Sequence, residues 1–434
     1  MRQADRLKTE LRTNAGLLMD WNQLFAKRTE HMRRTAVREL LKVTARPEII
    51  SFAGGLPAAE LFPVERVKQA AERVFERVGA ASLQYGETEG LAGLRKWIAA
   101  EFRRQSLRSS GEHNRSPMPV HPENVLITSG AQQALDLIGR IFLEESDCVA
   151  VENPTYLALL SAWRPHGVEF QPLHSDEQGM RTQELERLRG RPKLIYLTPN
   201  FQNPQGTTLA LERRTQLLRF AQESGAAIVE DDPYGDLRYS GEALPHVLTL
   251  EPTGPTNVLY VGSFSKVLMP GLRVGWVLAS AEVIEKLVQA KQAADLQTNS
   301  LGQHIVLELL EAGFPDEFLP VLKENYRQRR DAMLEALERF FPSDVSWTRP
   351  EGGMFLMVRF PSLDATALLP RALAQSVAYV PGEEFHLGGE GRNTMRLNFS
   401  NARPERIEVG IRRLGQLIEE QSVSEGKGSA VFRL

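Results

Sequence analysis

The sequence predicts an α/β protein: a large domain with a mostly parallel central sheet flanked by helices, and a smaller α+β domain built from both chain ends. Three observations carry this. From about Val120 to Ser280, short β-type runs alternate with helical patterns, each run bounded by Gly, Pro, Asn or Asp. The runs are continuously apolar rather than alternating, as expected of strands covered by helices on both faces. Beyond about Pro315 the rhythm gives way to a long charged helix, a few short strands and a final amphipathic helix.

Taken in order, residues 1–62 read as a segment joining the smaller domain. Helical patterns then cover Val64 to Arg77 and Leu91 to Arg104. The stretch Ser106 to Pro119, rich in Ser, Arg, His and Pro, reads as a mobile surface insertion. Strands are expected at Val125-Leu126-Ile127, Val149-Ala150-Val151, Leu194-Ile195-Tyr196-Leu197, Ala227-Ile228-Val229, Val258-Leu259-Tyr260-Val261 and Val274-Gly275-Trp276-Val277-Leu278. Helices are expected at Ala131 to Leu143, Leu211 to Glu223 and Ala281 to Ala294. These fill a large domain spanning 63–314. Residues 315–434 hold the long helix through Glu338, strands at Met354 to Val358 and Met395 to Phe399, and a helix from Pro404 to Glu420. A polar tail from Ser422 reads as surface chain.

Composition narrows the function. Of 434 residues, 42% are hydrophobic and 25% charged, enough apolar material for more than one core. Fifty-two Lys and Arg against 55 Asp and Glu leave a net charge of −3, too balanced for a main partner made of phosphate backbone. The one cysteine, Cys148, cannot form an internal disulfide, which suits a reducing compartment and makes the cytoplasm the expectation. The first residues hold no apolar signal region, and no run approaches the ~20 residues of a membrane span. The chain is therefore expected to be neither secreted by signal peptide nor membrane-embedded.

Chemistry concentrates where strands end. In Val261-Gly262-Ser263-Phe264-Ser265-Lys266, a lysine follows a buried strand, and Arg273 lies seven positions on. Burial disfavours an ammonium, and a neutral amine can attack an aldehyde to form a Schiff base. Ser263, Ser265 and Arg273 would supply two hydroxyls and a bidentate cation for a phosphate. The alternative is a strand end whose Lys and Arg face solvent. In Ile228-Val229-Glu230-Asp231-Asp232-Pro233-Tyr234, a strand runs into three acids and then a tyrosine. A carboxylate there points into the crevice of an α/β sheet, where Asp231 can hold a pyridine nitrogen protonated and Tyr234 can reach a ring oxygen. The rival is a Mg²⁺ site, although the chain has no GxxxxGK[ST] loop. Thr128-Ser129-Gly130-Ala131-Gln132 is a strand-turn-helix start, which is either a simple N-cap or a phosphate cradle. Asn203, in the Asn-Pro-Gln-Gly turn, should share the sheet edge of Asp231 and Lys266. In Asn153-Pro154-Thr155-Tyr156 the tyrosine can stack on a flat ring or lie in the core.

Together these segments resemble the fold-type-I pyridoxal phosphate-dependent aminotransferases of class I/II, closest to the 2-aminoadipate and kynurenine aminotransferase branch, from about Arg34 to about Ile418. The resemblance implies pyridoxal 5'-phosphate as cofactor, with the Schiff-base lysine at Lys266, the pyridinium carboxylate at Asp231, and ring-oxygen partners at Tyr234 and Asn203. It implies a phosphate cup of Ser129, Gly130, Ala131 and Gln132 with Ser263, Ser265 and Arg273, and a stacking aromatic at Tyr156. Arg396 matches the arginine that binds the substrate α-carboxylate, and Asn203 faces the same substrate. Gly55, in Ser51-Phe52-Ala53-Gly54-Gly55-Leu56-Pro57, matches the glycine loop over the substrate. Tyr85, in Leu83-Gln84-Tyr85-Gly86, matches a tyrosine that reaches a phosphate across a homodimer interface, which implies shared active sites. Arg38 matches an arginine that can pair with a distal acidic group on the substrate.

The implied function is transfer of an amino group from an α-amino acid (aminoadipate, aromatic or branched-chain) to a 2-oxo acid such as 2-oxoglutarate. Two rivals share the fold: a pyridoxal phosphate-dependent lyase or decarboxylase, and an aminotransferase-like regulatory module. No metal, nucleic acid or membrane partner is expected.

Overall fold

The computed structural model describes residues 19–33, 40, 46–109, 120–250 and 257–430, apart from the side chains of 106–109 and 422–430. Strand β1 (Ile50–Ser51) comes first in the chain. Eight strands then make the central sheet: β2 (Val125–Thr128), β3 (Cys148–Asn153), β4 (Glu169–Asp176), β5 (Gly179–Met180), β6 (Leu194–Leu197), β7 (Ala227–Asp231), β8 (Val258–Ser263) and β9 (Gly275–Leu278). Their order is β2-β9-β8-β7-β6-β3-β4-β5. The run β8-β7-β6-β3-β4 is parallel throughout, β9 is antiparallel to both β8 and β2, and β5 folds back on β4. Strands β2, β3, β6, β7 and β8 therefore all point the same way and deliver their C-terminal ends to one edge.

Both faces of this sheet are buried, which is why its strands are continuously apolar. Ile127, Ala150, Ile195, Ile228 and Tyr260 point into one core with Val74, Ile98, Leu217 and Val306 of the covering helices. Leu126, Val151, Tyr196, Val229 and Val261 point to the other, against Leu135, Ile138, Trp163 and Leu287. Helices Val64–Arg77 and Ala281–Ala294 match the expected spans, as do Ala131–Phe142 and Leu211–Ser224 within one residue. Strand β4 went unread in the sequence because it lies toward the sheet edge, carries Pro172 and is mostly half-buried, with only Leu173 fully buried.

The C-terminal part holds β10 (Ser346–Trp347), β11 (Phe355–Arg359), β12 (Val377–Ala378), β13 (Val380–Pro381) and β14 (Thr394–Asn398). Strands β10, β11, β14 and β13 form an antiparallel sheet in that order, while β1 pairs in parallel with β12, Ile50 opposite Val377. Ile50 and Phe52 thus enter the core built from Leu356, Val358, Leu397, Ile407 and Leu414. The helix Phe314–Phe340 belongs to both cores, with Phe314, Phe318 and Tyr326 in the first and Met333 and Leu337 in the second.

Two expectations are corrected. The helix expected to stop at Arg104 runs from Ala92 to Ser109, consuming the start of the expected insertion, and its Gln105-Ser106-Leu107-Arg108 contains no Pro or Gly to stop it. The final helix runs from Pro404 to Ala430 rather than ending at Glu420, so the tail from Ser422 continues it. Residues 422–430 are polar but hold Glu, Lys and Ala and no proline, which allows the helix to propagate.

Candidate active site

Strand register assembles the site. Gly275 of β9 lies opposite Thr128 on one side and Ser263 on the other, so the turns after β2 and β8 open beside each other. Only a glycine fits between them: a Cβ at Gly275 would stand 2.8 Å from the Gly130 carbonyl carbon and 2.9 Å from Ala131 N. Gly130 itself has φ of 81°, which suits glycine, and a Cβ there would lie 2.6 Å from an Arg273 guanidinium nitrogen. That guanidinium donates to the Ser129 carbonyl at 2.9 Å, and Ser265 N donates to Ser263 Oγ at 3.1 Å. Ala131 and Gln132 open the helix Ala131–Phe142, where unpaired N–H groups and the dipole favour an anion.

Next along the edge, Asp231 ends β7 on the same face as Tyr196. The Tyr196 hydroxyl donates to Asp231 Oδ2 at 2.7 Å, while Oδ1 is buried without a hydrogen-bond partner among the described residues. Burial pushes the Asp231 carboxyl up to about 7, against the opposing Tyr196 hydrogen bond and with help from the Asp232 charge. The three consecutive acids do not converge on a metal. Glu230 points to the opposite face and accepts from Val247 N and Leu248 N, both at 2.9 Å. Asp232 accepts from Asn200 Nδ2 and Gly235 N, also at 2.9 Å.

Lys266 is half-buried past the end of β8, and its Nζ donates to the Gly55 carbonyl at 2.8 Å. Burial first, then the charges of Arg396 and Arg273, lower its ammonium to about 8. Arg396, on β14, is 4% exposed and donates to Asn203 Oδ1 at 2.8 Å and to the Ala53 carbonyl. Phe355 and Phe385 lie against its guanidinium at 4.3 and 4.8 Å, and its Nε has no partner among the described residues. Asn203 hydrogen-bonds Tyr234, whose hydroxyl is held far above its ordinary range by burial. Tyr156 is half-buried and close enough in charge to act on Tyr196, Tyr234 and Arg396.

Hydrogen bonds and electrostatic contacts thus join Lys266 to Gly55, and Tyr234, Asn203, Arg396 and Tyr156 to one another, while strand register brings Asp231, Ser263, Ser265, Lys266 and the turn of Ser129, Gly130, Ala131 and Gln132, with Arg273, to the same sheet edge. Tyr85 stands apart, 78% exposed beside exposed Leu83. Arg38 lies outside the described residues. Sequence reading missed Tyr196, which looked like one more core residue, and the Phe355–Phe385 clamp, whose two residues are distant in sequence. It also missed buried Glu152, which accepts from Thr198 N at 2.8 Å and is raised by burial to about 8.

A lysine amine with a lowered pKa and a buried, half-satisfied carboxylate at the ends of neighbouring parallel strands, with a glycine strand–helix turn two strands away, define a pyridoxal phosphate enzyme of the fold-type-I class. The sequence profile of the class I and II aminotransferases matches residues 47–414, and the chain belongs to that family as a pyridoxal phosphate-dependent transaminase. It is 44% identical over 405 residues to the 2-aminoadipate transaminase of Thermus thermophilus, covering 92% of this chain and 98% of that one. It is 42% identical over 424 residues to aromatic-amino-acid aminotransferase 1 of Thermococcus litoralis, covering 96% and 98%. Among solved structures, the α-aminoadipate aminotransferase LysN of Thermus thermophilus, complexed with N-(5'-phosphopyridoxyl)-L-leucine, superposes with a TM-score of 0.84 at 42% identity over 93% of this chain and 99% of that one.

The residues present fit the cofactor on this structure's own terms. The orphaned Asp231 Oδ1 is the acceptor a protonated ring nitrogen needs, and the Gly130–Gly275 contact leaves no room for side chains in the cradle.

Proposed function

We propose that this transaminase moves the amino group of an α-amino acid, of the aminoadipate, aromatic or branched-chain type, to a 2-oxo acid such as 2-oxoglutarate. When bound, pyridoxal phosphate supplies an aldehyde carbon that bonds amines and a ring that takes up the electron pair left at the substrate Cα. Asp231, whose carboxylate Tyr196 orients, would hold the ring nitrogen protonated. Tyr234 and Asn203 would hold the ring oxygen, and Tyr156 would stack on the ring. Ser129, Gly130, Ala131 and Gln132, with Ser263, Ser265 and Arg273, hold the phosphate.

Lys266 Nζ would hold the cofactor's aldehyde carbon, and its amine would carry a proton at the substrate Cα as general base and acid. Its lowered pKa keeps a neutral amine within reach near neutral pH. Arg396 receives the α-carboxylate through two parallel hydrogen bonds, exchanging its present partners and keeping its aromatic clamp. Gly55 lies over the substrate, and Arg38 pairs with a distal acidic group. The observation that carries this reading is that the lowered Lys266 amine and the half-satisfied Asp231 follow the C-terminal ends of two neighbouring parallel strands, β8 and β7.

The same reading gives a homodimer with shared active sites, Tyr85 reaching the partner's phosphate. Its support is the exposure of Leu83 and Tyr85 beside Gln297 and Leu301. It also gives a smaller domain made of residues 1–62 and 315–434 around a larger domain of 63–314. A cytoplasmic location is supported by the single cysteine; among the described residues, no helix is long and apolar enough to cross a membrane.

The test is a screen of amino donors against 2-oxoglutarate with glutamate as readout, repeated with Arg38→Ala. Glutamate formation with aminoadipate, aromatic or branched-chain donors is expected. Release of carbon dioxide or ammonia without glutamate would overturn the reading. A loss confined to acidic donors supports the role of Arg38, and an equal loss for every donor contradicts it.

A further inference from the structure

An ion pair between a buried lysine and an exposed aspartate is tied to the turn assigned to the phosphate. Lys291, in the last turn of the helix Ala281–Ala294, has a fully buried side chain. Its Nζ donates to Asp295 Oδ1 at 2.7 Å and to Gln133 Oε1 at 2.8 Å. The other Asp295 oxygen accepts from Gln133 Nε2 at 2.6 Å and from Ser129 Oγ at 3.2 Å. Gln133 Oε1 in turn accepts from the backbone N–H of Ser129 at 2.8 Å. Both hydrogen-bond donors of Ser129 thus end on this trio, while its carbonyl accepts from Arg273.

The placement runs against local rules. Asp295 caps the C-terminal end of its helix, where the dipole disfavours an anion, and its carboxylate hydrogen-bonds the first residue of a phosphate cradle, where an anion repels the ligand. Lys291, four residues earlier, is what offsets both. A buried lysine is costly unless paired, so each member of the pair is retained through the other.

We propose that Lys291 and Asp295 are positioning residues that act as a charge-neutral brace: Asp295 and Gln133 fix the Ser129 turn, and Lys291 cancels the carboxylate so that the cradle keeps its affinity for a phosphate dianion. This rests on the assignment of the phosphate to Ser129–Gln132. The brace makes a prediction that packing alone does not. Removing Lys291 exposes the phosphate to an uncompensated carboxylate, and removing the carboxylate as well restores binding.

The experiment titrates the full-length apoprotein with pyridoxal phosphate and, separately, with pyridoxal, which lacks the phosphate, following absorbance and tryptophan fluorescence. Lys291→Met is expected to weaken pyridoxal phosphate about threefold and to leave pyridoxal nearly unchanged, because Asp295 is exposed and water screens much of its charge. Lys291→Met/Asp295→Asn is expected to recover most of the loss. Unchanged pyridoxal phosphate affinity in Lys291→Met, equal loss for both ligands, or a double variant no tighter than Lys291→Met would each overturn the proposal. Arg273→Gln serves as the control for the cradle itself. If it discriminates between the two ligands and Lys291→Met does not, the brace alone is refuted. If neither discriminates, the phosphate assignment falls with it.

Discussion

Replacing Tyr196 with Phe removes one hydroxyl from the floor of the site and nothing else, since the ring is fully buried in the core and Phe fills its volume. The lost contact is the 2.7 Å hydrogen bond to Asp231 Oδ2. A hydrogen bond to a charged acceptor is worth about 1.5–3 kcal/mol, and one pKa unit corresponds to about 1.4 kcal/mol. The hydroxyl stabilises the carboxylate anion, so its loss raises the Asp231 pKa above its present value of about 7 by roughly one to two units. Asp231 must be ionised to hold the ring nitrogen protonated, so cofactor affinity falls on the acid side of that pKa. Titrating wild-type and Tyr196→Phe apoprotein with pyridoxal phosphate across about pH 5–9 should displace the acid limb upward by about one unit or more. A limb that stays in place, or moves to lower pH, refutes the assignment of Asp231 as the ring-nitrogen partner tuned by Tyr196.

Other perturbations reach different parts of the account. Gly275→Ala places a Cβ within 3 Å of the Gly130–Ala131 backbone, so overpacking should cost about 1–3 kcal/mol in thermal or urea unfolding and weaken cofactor binding; an unchanged midpoint and affinity would contradict the tight turn-to-turn contact. Glu152 has a folded pKa raised from 4.5 to about 8, so its stability contribution is complete below about 4.5 and is lost as pH rises through about 8. Glu152→Gln, which cannot ionise, should therefore gain on wild-type apoprotein by a few kcal/mol between about pH 5 and about pH 9, read as a widening difference in melting temperature; a flat difference would contradict the burial of a neutral Glu152.

Much of the fold was legible because a sheet covered on both faces writes itself as continuous apolar runs, and each of the runs read as a strand is one. The strand Glu169–Asp176 was not, since only Leu173 of its eight residues is fully buried and Pro172 interrupts the pattern. The site was legible where chemistry sits next to strand ends: Asp231, Lys266, Asn203 and Ser129 all follow short buried runs. What escaped was set by pairing between distant segments. Tyr196 differs from its apolar neighbours only by a hydroxyl, which matters because strand register places it beside Val229 and on the face of Asp231. Phe355 and Phe385 clamp Arg396 from separate elements, and Lys291 reads as an ordinary helical charge until the fold puts Ser129 above it.

One measurement tests the central claim most directly. Holoprotein purified with its cofactor is reduced with borohydride, digested and mapped by tandem mass spectrometry. The cofactor mass is expected on the peptide carrying Lys266, at that residue, and to vanish in Lys266→Ala. Attachment to any other lysine, or a Lys266→Ala protein that still forms glutamate at the wild-type rate, would contradict the assignment of this crevice as the catalytic centre.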